Sequence, residues 1–588
     1  MKRPLDRRPV AFILWAFGVF SAAHAQETAP KTAAPNPAPA AAKPSPASAV
    51  AAHAPAWQVF YDHGFKLPDV RMWTSKSTRS KLTPDGLRIV DASIQPGSMR
   101  YFFIPWNAKP GEEIVVEARL KSISCSAPLG MCLLVADGLH EENVSFFPDR
   151  ISLARSKLSQ PFPCAGGFHT YTVRVRGADL AVAADGKPLI DGRGKFTGPA
   201  VNGRNQLGFG AGASSATGEA IWQWVRFRGP SVEPPRLTIP PLAGLEVQPG
   251  ETAVILSGRD YVSMSKLAGG DIVVGDRRSS DGGRSWRRSH PFNVGAYQLP
   301  DGQIIELGFA TRKTDRPGVF QVSLARSTDN GKTVRSENAV MRIPLATGGT
   351  ADNGKPLEGP LCDHAIVGLR DGTLLAAMYG NFQGDCVPCE TSPKSWKFYK
   401  YRTFVVRSRD RGKTWDFLAT VAYDPSIGLE SFCEPDLLVL PGGEILCFMR
   451  TGGSGGKYTP LYLSRSADDG RHWSKPSPIA DRGVWPNACR MRSGVLACTY
   501  GRPGNWLMFS LDQGKTWTAG ILFHAGPSSN YNSIEEVAPN RLLVVYDRQA
   551  LNADGELAPE VVGTYFTVRR PAPPPATPAG TAGKQVIK

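Results

Sequence analysis

The eight-residue stretch "SRDRGKTW" (residues 408–415) has four near copies elsewhere in the chain. They read "SSDGGRSW" from Ser279, "STDNGKTV" from Ser327, "SADDGRHW" from Ser466 and "SLDQGKTW" from Ser510. The shared aspartates, at positions 281, 329, 410, 468 and 512, follow one another at intervals of 44 to 81 residues. Repeats of such a period are typical of β-propellers and solenoids.

The residue types in this repeat predict a structural role. An aspartate can accept backbone N–H groups across a tight turn, and a glycine can adopt the positive φ that such a turn needs. The tryptophan provides apolar area for packing against a neighbouring unit of the fold. These duties arise once per repeat unit, so we interpret the repeat as a scaffold and not as the catalytic motif.

A second pattern occurs six times between residues 237 and 570, and it predicts a β-hairpin of two apolar strands around a turn rich in Gly or Asn. Five of the six hairpins are followed by a copy of the eight-residue repeat. Six blades of four short strands make a six-bladed β-propeller, so the sequence predicts an all-β fold for this region. The first blade is thin, with little room for a third strand before its repeat. The hairpins read "YVSMSKLAGGDIVVGD", "AYQLPDGQIIELGF", "HAIVGLRDGTLLAAMYG", "PDLLVLPGGEILCFMR", "NACRMRSGVLACTYGR" and "IEEVAPNRLLVVYDR".

Residues 57–230 predict a separate antiparallel β-sandwich. In "YTVRVRGADLAVAADGKPLIDG" (residues 171–192), polar and apolar residues alternate, and Asp185-Gly186 forms a hairpin turn. This pattern resembles the concanavalin-like jelly rolls that accompany many secreted carbohydrate enzymes. A glycan-binding role and a spacer role are both open for this domain.

The two ends of the chain predict export rather than folded structure. Residues 1–25 combine a basic start, an apolar run and "AAHA" before a cleavage site after about Ala25, which indicates a secretory signal peptide. Residues 26–56 form an Ala/Pro-rich linker and residues 571–588 a disordered Pro/Ala-rich tail. No later stretch is long enough to cross a bilayer, so we expect a periplasmic or secreted protein without an integral membrane segment.

Charge and cysteine content narrow the class of partner. Cleavage after residue 25 lowers the formal net charge from +16 to +13, which favours an acidic glycan. The basic residues are scattered and no nucleic-acid motif is present, so we do not expect nucleic acid as a partner. "CVPC" (residues 386–389) has no second half that would complete a zinc site, and we expect no metal and no cofactor. The oligomeric state is left open.

The eight-residue repeat resembles the Asp box (BNR repeat) of the sialidase (neuraminidase) superfamily, over about 330 residues. The resemblance implies an exo-glycosidase that releases a sugar with a carboxylate on its reacting carbon. It also implies a tyrosine nucleophile activated by a glutamate, three arginines that bind the substrate carboxylate, and an aspartate as acid/base.

Four residues match the order in which this superfamily places its late-blade residues. "CEPDLLVLPGGEILCFMR" implies the glutamate role for Glu434 and a carboxylate-binding role for Arg450, with Glu430 as a rival of Glu434. "TYGRPG" implies a second carboxylate-binding arginine at Arg502. "SSNYNSIEEV" resembles the nucleophile strand and implies the nucleophile role for Tyr531.

The sequence departs from the superfamily at the first arginine, because the expected Phe-Arg-Ile-Pro motif is absent. Blade order favours Arg259 in that place, with Asp276 as the acid. The hairpin "DHAIVGLRDGTLLAAMYGNFQGD" instead favours His364, with Asp385 as the acid at the start of a long insertion. The sequence favours Asp385 over Asp276 and leaves Arg259 and His364 open as substrate-binding residues.

We therefore predict an exported exo-α-sialidase-like glycoside hydrolase that releases a terminal sialic acid or a related acidic sugar with retention of configuration. Two alternatives stay open. One is a glycosidase or lyase that acts on a neutral or uronic sugar in the same propeller. The other is a non-catalytic glycan-binding protein.

Overall fold

The computed structural model describes most of the chain from residue 56 to residue 571. The described ranges are 56–62, 71–74, 78–92, 94, 100–213, 215–232, 241–261, 263–292, 294–348, 351–352, 355–364, 366–389, 399–452, 459–526, 528–551 and 556–571. The predicted signal peptide, nearly all of the predicted linker and nearly all of the predicted tail lie outside them. The chain divides into two compact units, residues 15–233 with 553–556 and residues 234–552 with 557–588. In the described ranges, no helix is both long and apolar enough for a membrane span.

The first unit is a sandwich of an eight-stranded and a seven-stranded antiparallel sheet. Most of its buried side chains form one large cluster, with the Phe209 ring centroid 4.9 Å from that of Trp222, and a smaller cluster contains Tyr101 and Leu134. A short 3-10 helix spans Val201–Gly203. In sheet order, the larger sheet contains Lys187–Gly192, Asp179–Ala184, His169–Arg176, Glu113–Cys125, Gly218–Arg228, Gly86–Asp91 and Thr78–Thr83, and Gln58–Asp62 pairs with Gly218–Arg228. The smaller contains Ser159–Pro161, Arg150–Leu153, Glu141–Phe146, Cys132–Asp137, Asn205–Ala211, Arg100–Pro105 and Arg71–Thr74.

The second unit is a six-bladed β-propeller, which confirms the predicted fold class. We number its blades in chain order and name their strands from the inner to the outer edge. Blade 1 contains Met264–Lys266, Ile272–Ser279 and Arg287–Phe292; blade 2 contains Tyr297–Gln298, Ile304–Leu307, Val319–Ser327 and Arg335–Arg342; blade 3 contains Val367–Gly368, Leu374–Phe382, Arg402–Ser408 and Thr414–Ala422. Blade 4 contains Cys433–Val439, Ile445–Arg450, Leu461–Ser466 and Ser477–Ala480; blade 5 contains Val484–Arg490, Leu496–Gly501, Asn505–Ser510 and Ile521–His524; blade 6 contains Asn532–Ala538, Arg541–Leu551, Leu557–Arg569 and Glu246–Ser257.

Short extra strands border blades 2 and 3. Arg312–Lys313 pairs with the third strand of blade 2, and Ala346–Gly348 pairs with the second strand of blade 3. Ala351–Asp352 and Lys355–Pro356 pair with each other. The outer strands of blades 2 and 3 also pair in parallel, with Val340 opposite Thr414.

The ring is closed by the first strand of the unit. Glu246–Ser257 pairs antiparallel with Leu557–Arg569 and so becomes the outer strand of blade 6. Both ends of the propeller sequence therefore meet in one sheet, which ties the last blade to the chain segment that enters the first. Blade 1 has three strands, and its repeat follows the second strand, where the repeats of blades 2 to 5 follow the third.

The repeat forms the turn predicted from its residue types. In "SRDRGKTW" the Asp410 carboxylate accepts the Thr414 N–H at 2.8 Å and the Thr414 hydroxyl at 2.7 Å. Gly412 has φ +85° and donates its N–H to the Ser408 hydroxyl at 2.8 Å. Trp415 is fully buried among side chains of blades 2 and 3. The repeat is therefore a blade-to-blade packing element between outer strands.

Separate apolar clusters lie between successive blades, and each contains side chains from strands of two neighbouring blades. One such cluster joins Leu267 of blade 1 to Ile304 of blade 2, and another joins Leu437 of blade 4 to Leu375 of blade 3. Burial of these side chains is the main favourable contribution to blade packing, at about 25 cal/mol per Å² of apolar area.

Side chains on the inner strands also link neighbouring blades by hydrogen bonds to backbone. Each acceptor lies on one inner strand and takes an N–H on the next inner strand or, for blade 2, directly before it. The pairs are Asp436 with Ala488 N at 2.8 Å, Asn487 with Ile534 N at 2.8 Å, Ser533 with Met264 N at 3.2 Å and Ser265 with Ala296 N at 2.8 Å. These bonds fix the relative height of blades 4, 5, 6, 1 and 2 around the axis.

We predict that three buried acids of the propeller contribute stability that is lost as pH rises from about 4 to about 7. Burial raises the pKa of Asp436 to about 7, of Glu535 to about 7 and of Asp547 to about 6. In the unfolded chain the same acids have pKa values of about 4. Because they hold their protons more tightly in the folded state, they contribute to the free energy of unfolding in full below pH 4, and this contribution is lost as the pH rises through their folded pKa values toward 7.

The test is the unfolding temperature of Asp436→Asn between pH 4 and 7. The amide keeps an oxygen acceptor for the Ala488 N–H but cannot ionise, so the variant should lose less stability than wild type over this range. Asp416→Asn is the control, because Asp416 is half exposed and pairs with Arg342 at 2.9 Å. Parallel curves for wild type and Asp436→Asn would contradict the prediction.

Candidate active site

The candidate residues are brought together because they lie at the same end of successive blades. Glu434 is the second residue of the inner strand of blade 4, and Tyr531 directly precedes the inner strand of blade 6. Arg450 ends the second strand of blade 4 and stands opposite Cys433 in the register of that hairpin. Arg502 directly follows the second strand of blade 5. An inner strand starts, and a second strand ends, at this face of the propeller.

Local backbone geometry sets the direction of two of these side chains. Glu434 has φ +42° and Trp485 has φ +50°, and both residues precede a proline inside a β-bulge. Left-handed backbone at residues with large side chains is uncommon and costs free energy, and it is often found at functional sites. The bulge turns Glu434 and Trp485 out of the strand alternation and toward each other, with the Trp485 N–H donating to the Glu434 carboxylate at 3.1 Å.

Tyr531 and Glu434 form the central pair of the site. The Tyr531 hydroxyl donates to the Glu434 carboxylate at 2.8 Å. Burial would raise the pKa of Glu434, but the Arg450 guanidinium, the Tyr531 hydroxyl and the Arg502 charge together outweigh it and hold that pKa below its ordinary value. Burial raises the pKa of Tyr531 well above its ordinary range, and the Glu434 charge adds to this. The resting pair is thus a neutral phenol beside an ionised carboxylate that can accept its proton.

Arg450 is held between two carboxylates. Its Nη1 lies 2.5 Å from Glu434 and its Nη2 lies 3.0 Å from Glu430. All three side chains are buried. Burial alone would lower the pKa of Arg450, but these two carboxylates outweigh it, so the guanidinium stays charged. Both candidates for the glutamate role therefore contact the same guanidinium, and the one that also accepts the Tyr531 hydroxyl is Glu434.

Arg502 is placed differently. Its Nη2 donates to the Ser529 carbonyl at 2.8 Å, and its guanidinium lies 5.7 Å from the centre of the Tyr531 ring. The side chain is partly exposed. Burial lowers the pKa of Arg502, and the positive charge of Arg450 adds to this effect. Within the described residues, no carboxylate lies at ion-pair distance from Arg502.

Aromatic side chains enclose Tyr531. The Trp485 ring stacks on it, with centroids 4.2 Å apart and planes 15° apart. Tyr261 meets Tyr531 edge to face at 6.0 Å and accepts the Trp485 indole N–H at 3.2 Å. His364 lies 4.7 Å from the Trp485 ring. His364 is thus part of the wall of the site, whereas its role as a substrate-binding residue stays a prediction.

Two residues that shortly precede blade 3, Asp363 and His364, have buried polar atoms near Trp485 and Glu434 that lack a hydrogen-bond partner among the described residues. These atoms are both carboxylate oxygens of Asp363 and Nε2 of His364. Burial raises the pKa of Asp363 well above its ordinary value, and the Glu434 charge adds to this, although the nearby Tyr379 hydroxyl opposes it. Burial lowers the pKa of His364 to about 4, so its ring is neutral at pH 7.

Asp276 lies on blade 1, and Arg259 lies close to it in the segment between Glu246–Ser257 and Met264–Lys266. Arg259 Nη1 is 4.0 Å from the Asp276 carboxylate, and Arg277 Nη1 is 3.2 Å from it. Arg259 and Asp276 are partly exposed. Asp276 belongs to the second strand of blade 1, beyond the residues that pair with the inner strand, and so it lies toward the same face as Arg450 and Arg502.

Asp385 is engaged elsewhere in blade 3. Its carboxylate receives Arg402 through two bonds, Nε at 2.9 Å and Nη2 at 2.6 Å, and it also accepts the Phe382 N–H at 2.9 Å. Arg402 begins the third strand of the blade, so Asp385 is directed toward that strand. None of these partners belongs to the group around Tyr531. The acid/base role of Asp385 stays a prediction that its contacts do not favour.

The sequence reasoning missed Trp485, Tyr261 and Asp363. Hairpins four and five align as Glu434-Pro-Asp and Trp485-Pro-Asn, which would have placed Trp485 at the position of Glu434. Likewise, Tyr261 and Tyr531 each precede a serine by two residues, and these are equivalent positions in blades 1 and 6. Asp363 had no comparable signal, because only the fold shows that its carboxylate is buried and unpartnered.

The cysteines do not form a metal site in this structure. None of the ten forms a disulfide; Cys386 is exposed, and Cys389 is buried with its thiol 3.3 Å from the Leu429 carbonyl. Across the described ranges, no three His, Cys, Asp or Glu side chains are grouped as metal ligands.

Comparison with known proteins supports the repeat assignment. Residues 308–539 match the family model described as a BNR repeat-like domain, which confirms the predicted resemblance to the Asp-box propellers of the sialidase superfamily. No curated protein matches the chain.

Several solved structures are similar to this chain. A Dyadobacter fermentans protein of unknown function is 20% identical, with 56% of this chain and 100% of that one covered at a TM-score of 0.41. The NanB sialidase of Streptococcus pneumoniae is 12% identical, and the match covers 78% of this chain and 95% of that one at a TM-score of 0.35. A Penicillium chrysogenum α-L-arabinanase is 14% identical, and the match covers 53% of this chain and 98% of that one at a TM-score of 0.38. None of these three matches bears on the activity of this chain.

We predict that the two site arginines differ sharply in their effect on stability. Arg450→Met leaves Glu430 and Glu434 buried without their cation, and breaking a buried pair in this way costs about 3–5 kcal/mol. Arg502→Met removes a partly exposed cation with no carboxylate partner in the described structure and should cost less than about 1.5 kcal/mol. Urea unfolding of both variants, followed by tryptophan fluorescence, measures the difference. Equal losses would contradict the proposed charge balance.

Proposed function

We propose that this protein is a retaining glycoside hydrolase with Tyr531 as its nucleophile. The observation that carries the proposal is the 2.8 Å hydrogen bond from the Tyr531 hydroxyl to Glu434, which Arg450 also contacts. A phenol is a weak nucleophile until a base takes its proton, and an ionised carboxylate within hydrogen-bond reach can do so. The BNR repeat match is consistent with this class of enzyme.

The first half of the reaction forms a glycosyl–tyrosine bond. As the Tyr531 oxygen attacks the anomeric carbon, its proton passes to Glu434 and the bond to the leaving oxygen breaks. Arg450 keeps its second partner, Glu430, when Glu434 becomes neutral, so its charge is not left unpaired. An acid gives its proton to the leaving oxygen.

The second half restores the enzyme. A water molecule gives a proton to the former acid and attacks the same carbon, and the carbon–Tyr531 bond breaks. The phenolate recovers its proton from Glu434. Two displacements at one carbon retain its configuration.

We assign the acid/base role to Asp276 in preference to Asp385. Asp276 is partly exposed, lies at the site face of blade 1, and has one contact each with Arg259 at 4.0 Å and Arg277 at 3.2 Å. Both oxygens of Asp385 are bonded to Arg402. Asp363 is a poor candidate, because both of its oxygens are buried and cannot reach a leaving group.

The finer prediction from the sequence is release of a terminal sialic acid or a related acidic sugar. Arg502, which has no carboxylate at ion-pair distance in the described structure, is the feature that supports it, since guanidinium groups bind carboxylates. Hydrolysis of a fluorogenic sialoside tests this version. Inactivity on the sialoside together with Tyr531-dependent hydrolysis of another glycoside would retain the tyrosine mechanism and reject the sialidase version.

We predict that Tyr531→Phe lowers kcat by at least about 10³-fold on any glycoside that the wild type hydrolyses, because the nucleophilic oxygen is lost. Binding of the released sugar, measured by calorimetry, should change by less than about tenfold. Tyr261→Phe is the matched control, since it removes the hydroxyl of a neighbouring tyrosine. Turnover retained in Tyr531→Phe would remove Tyr531 from the nucleophile role.

We also predict that Asp276→Asn lowers kcat by about 10²–10⁴-fold on substrates with poor leaving groups. Aryl glycosides whose leaving group needs no proton should show a much smaller loss in the first step. Asp385→Asn should instead lower the unfolding temperature, because the bidentate pair with Arg402 is lost, and leave kcat of the folded enzyme nearly unchanged. The reverse result would return the acid role to Asp385.

A further inference from the structure

We infer that the sugar bound beside Tyr531 is neutral, and that Trp485 is the residue that excludes a carboxylate from the reacting carbon. This inference rests on the proposed function, because it names the substrate class of the same site. It departs from the acidic sugar that the sequence predicts. Three features of the site carry it: its charge balance, the buried acid Asp363, and the aromatic wall.

The charge balance leaves little attraction for an anion. Arg450 is neutralised by Glu430 and Glu434, and its two terminal nitrogens are occupied by them. A substrate carboxylate that bound Arg450 would have to displace Glu434. The catalytic base would then lose the guanidinium that keeps it ionised. Glu430 and Glu434 together balance Arg450 and Arg502, so of these two arginines only Arg502 is left to face a substrate anion.

Asp363 makes the surroundings of the nucleophile still less favourable to an anion. Its side chain is 1% exposed, and it has no cation at ion-pair distance within the described structure. When protonated it adds no charge, and when ionised it makes the site net negative. In neither state does it help to bind a carboxylate, and its negative state opposes one.

Aromatic side chains occupy the space where further cations would be needed. Trp485 stacks on one face of the Tyr531 ring, and Tyr261 and His364 pack around the indole. Placing a carboxylate against this wall would remove its water without giving it a partner, which costs several kcal/mol. Apolar faces of neutral sugar rings lose little by such contact, and aromatic rings are suited to pack against them.

A tyrosine nucleophile is compatible with a neutral sugar. Its attack needs a phenolate at the moment of bond formation, and Glu434 provides the means through the 2.8 Å bond. Nothing in this proton transfer depends on a charge carried by the substrate.

The inference is tested first by comparing substrates. Wild type is assayed with the 4-methylumbelliferyl glycoside of N-acetylneuraminic acid and with a panel of neutral aryl pentosides, hexosides and deoxyhexosides. We expect kcat/KM for at least one neutral glycoside to exceed that for the sialoside by about 100-fold or more. A sialoside hydrolysed as fast as the best neutral glycoside would overturn the inference.

Binding separates this inference from the proposed function. Calorimetry on Tyr531→Phe with N-acetylneuraminic acid and with neutral monosaccharides reports recognition without turnover. Suppose that wild type hydrolyses no glycoside, while Tyr531→Phe binds a neutral sugar and does not bind N-acetylneuraminic acid. The proposed function then fails, but the inferred substrate class stands. Tighter binding of N-acetylneuraminic acid, or binding of no sugar of either class, would overturn it.

Trp485 is tested by a pair of variants. Trp485→Arg places a cation beside the reacting carbon, and Trp485→Leu opens similar space without charge. Trp485→Arg should bind N-acetylneuraminic acid at least about tenfold more tightly than Trp485→Leu does. Equal affinities in the two folded variants would remove Trp485 from the specificity role. The substrate panel still tests the sugar class if either variant fails to fold.

Discussion

The candidate site depends first on the hydrogen bonds that link the inner strands of blades 4, 5, 6, 1 and 2. Asp436, Asn487, Ser533 and Ser265 each accept a backbone N–H of the following blade. A bond of 2.8–3.2 Å to backbone permits little sliding, so the start of each inner strand is held at one height around the axis. The inner strands therefore position the catalytic candidates. Their side chains come from several blades and meet at one end of the ring.

At that height, one carboxylate organises the chemistry. Glu434 receives Arg450, the Tyr531 hydroxyl and the Trp485 N–H, so it is bound from blades 4, 5 and 6 at once. The left-handed backbone at Glu434 is the cost of turning it inward, and three hydrogen bonds offset that cost. The positive charge of Arg450 is what keeps Glu434 ionised in a buried place, and Glu430 keeps Arg450 balanced when Glu434 is protonated.

Much of this could be predicted from the sequence, because the relevant signals are periodic or local. The repeat and the hairpins gave the blade count, and residue order gave Glu434, Arg450, Arg502 and Tyr531 as neighbours. The three-stranded first blade was anticipated, but the closing strand Glu246–Ser257 was not, since its partner lies some 310 residues away and pairing at that range leaves no local trace. Asp385 was favoured over Asp276 because its loop resembled the superfamily pattern, and the bidentate Arg402 contact could not be read from that loop.

The sequence by itself determined the architecture and the order of residues around the axis, because side-chain periodicity and turn chemistry act over a few residues. Only the tertiary structure decided which charges remain available at the site. Whether Arg450 can bind a substrate carboxylate depends on Glu430 and Glu434 at 3.0 Å and 2.5 Å, and the surroundings of Tyr531 depend on Trp485 from another blade. Electrostatic balance and desolvation are set by distances between chain segments, and those distances exist only after the six blades have closed into a ring.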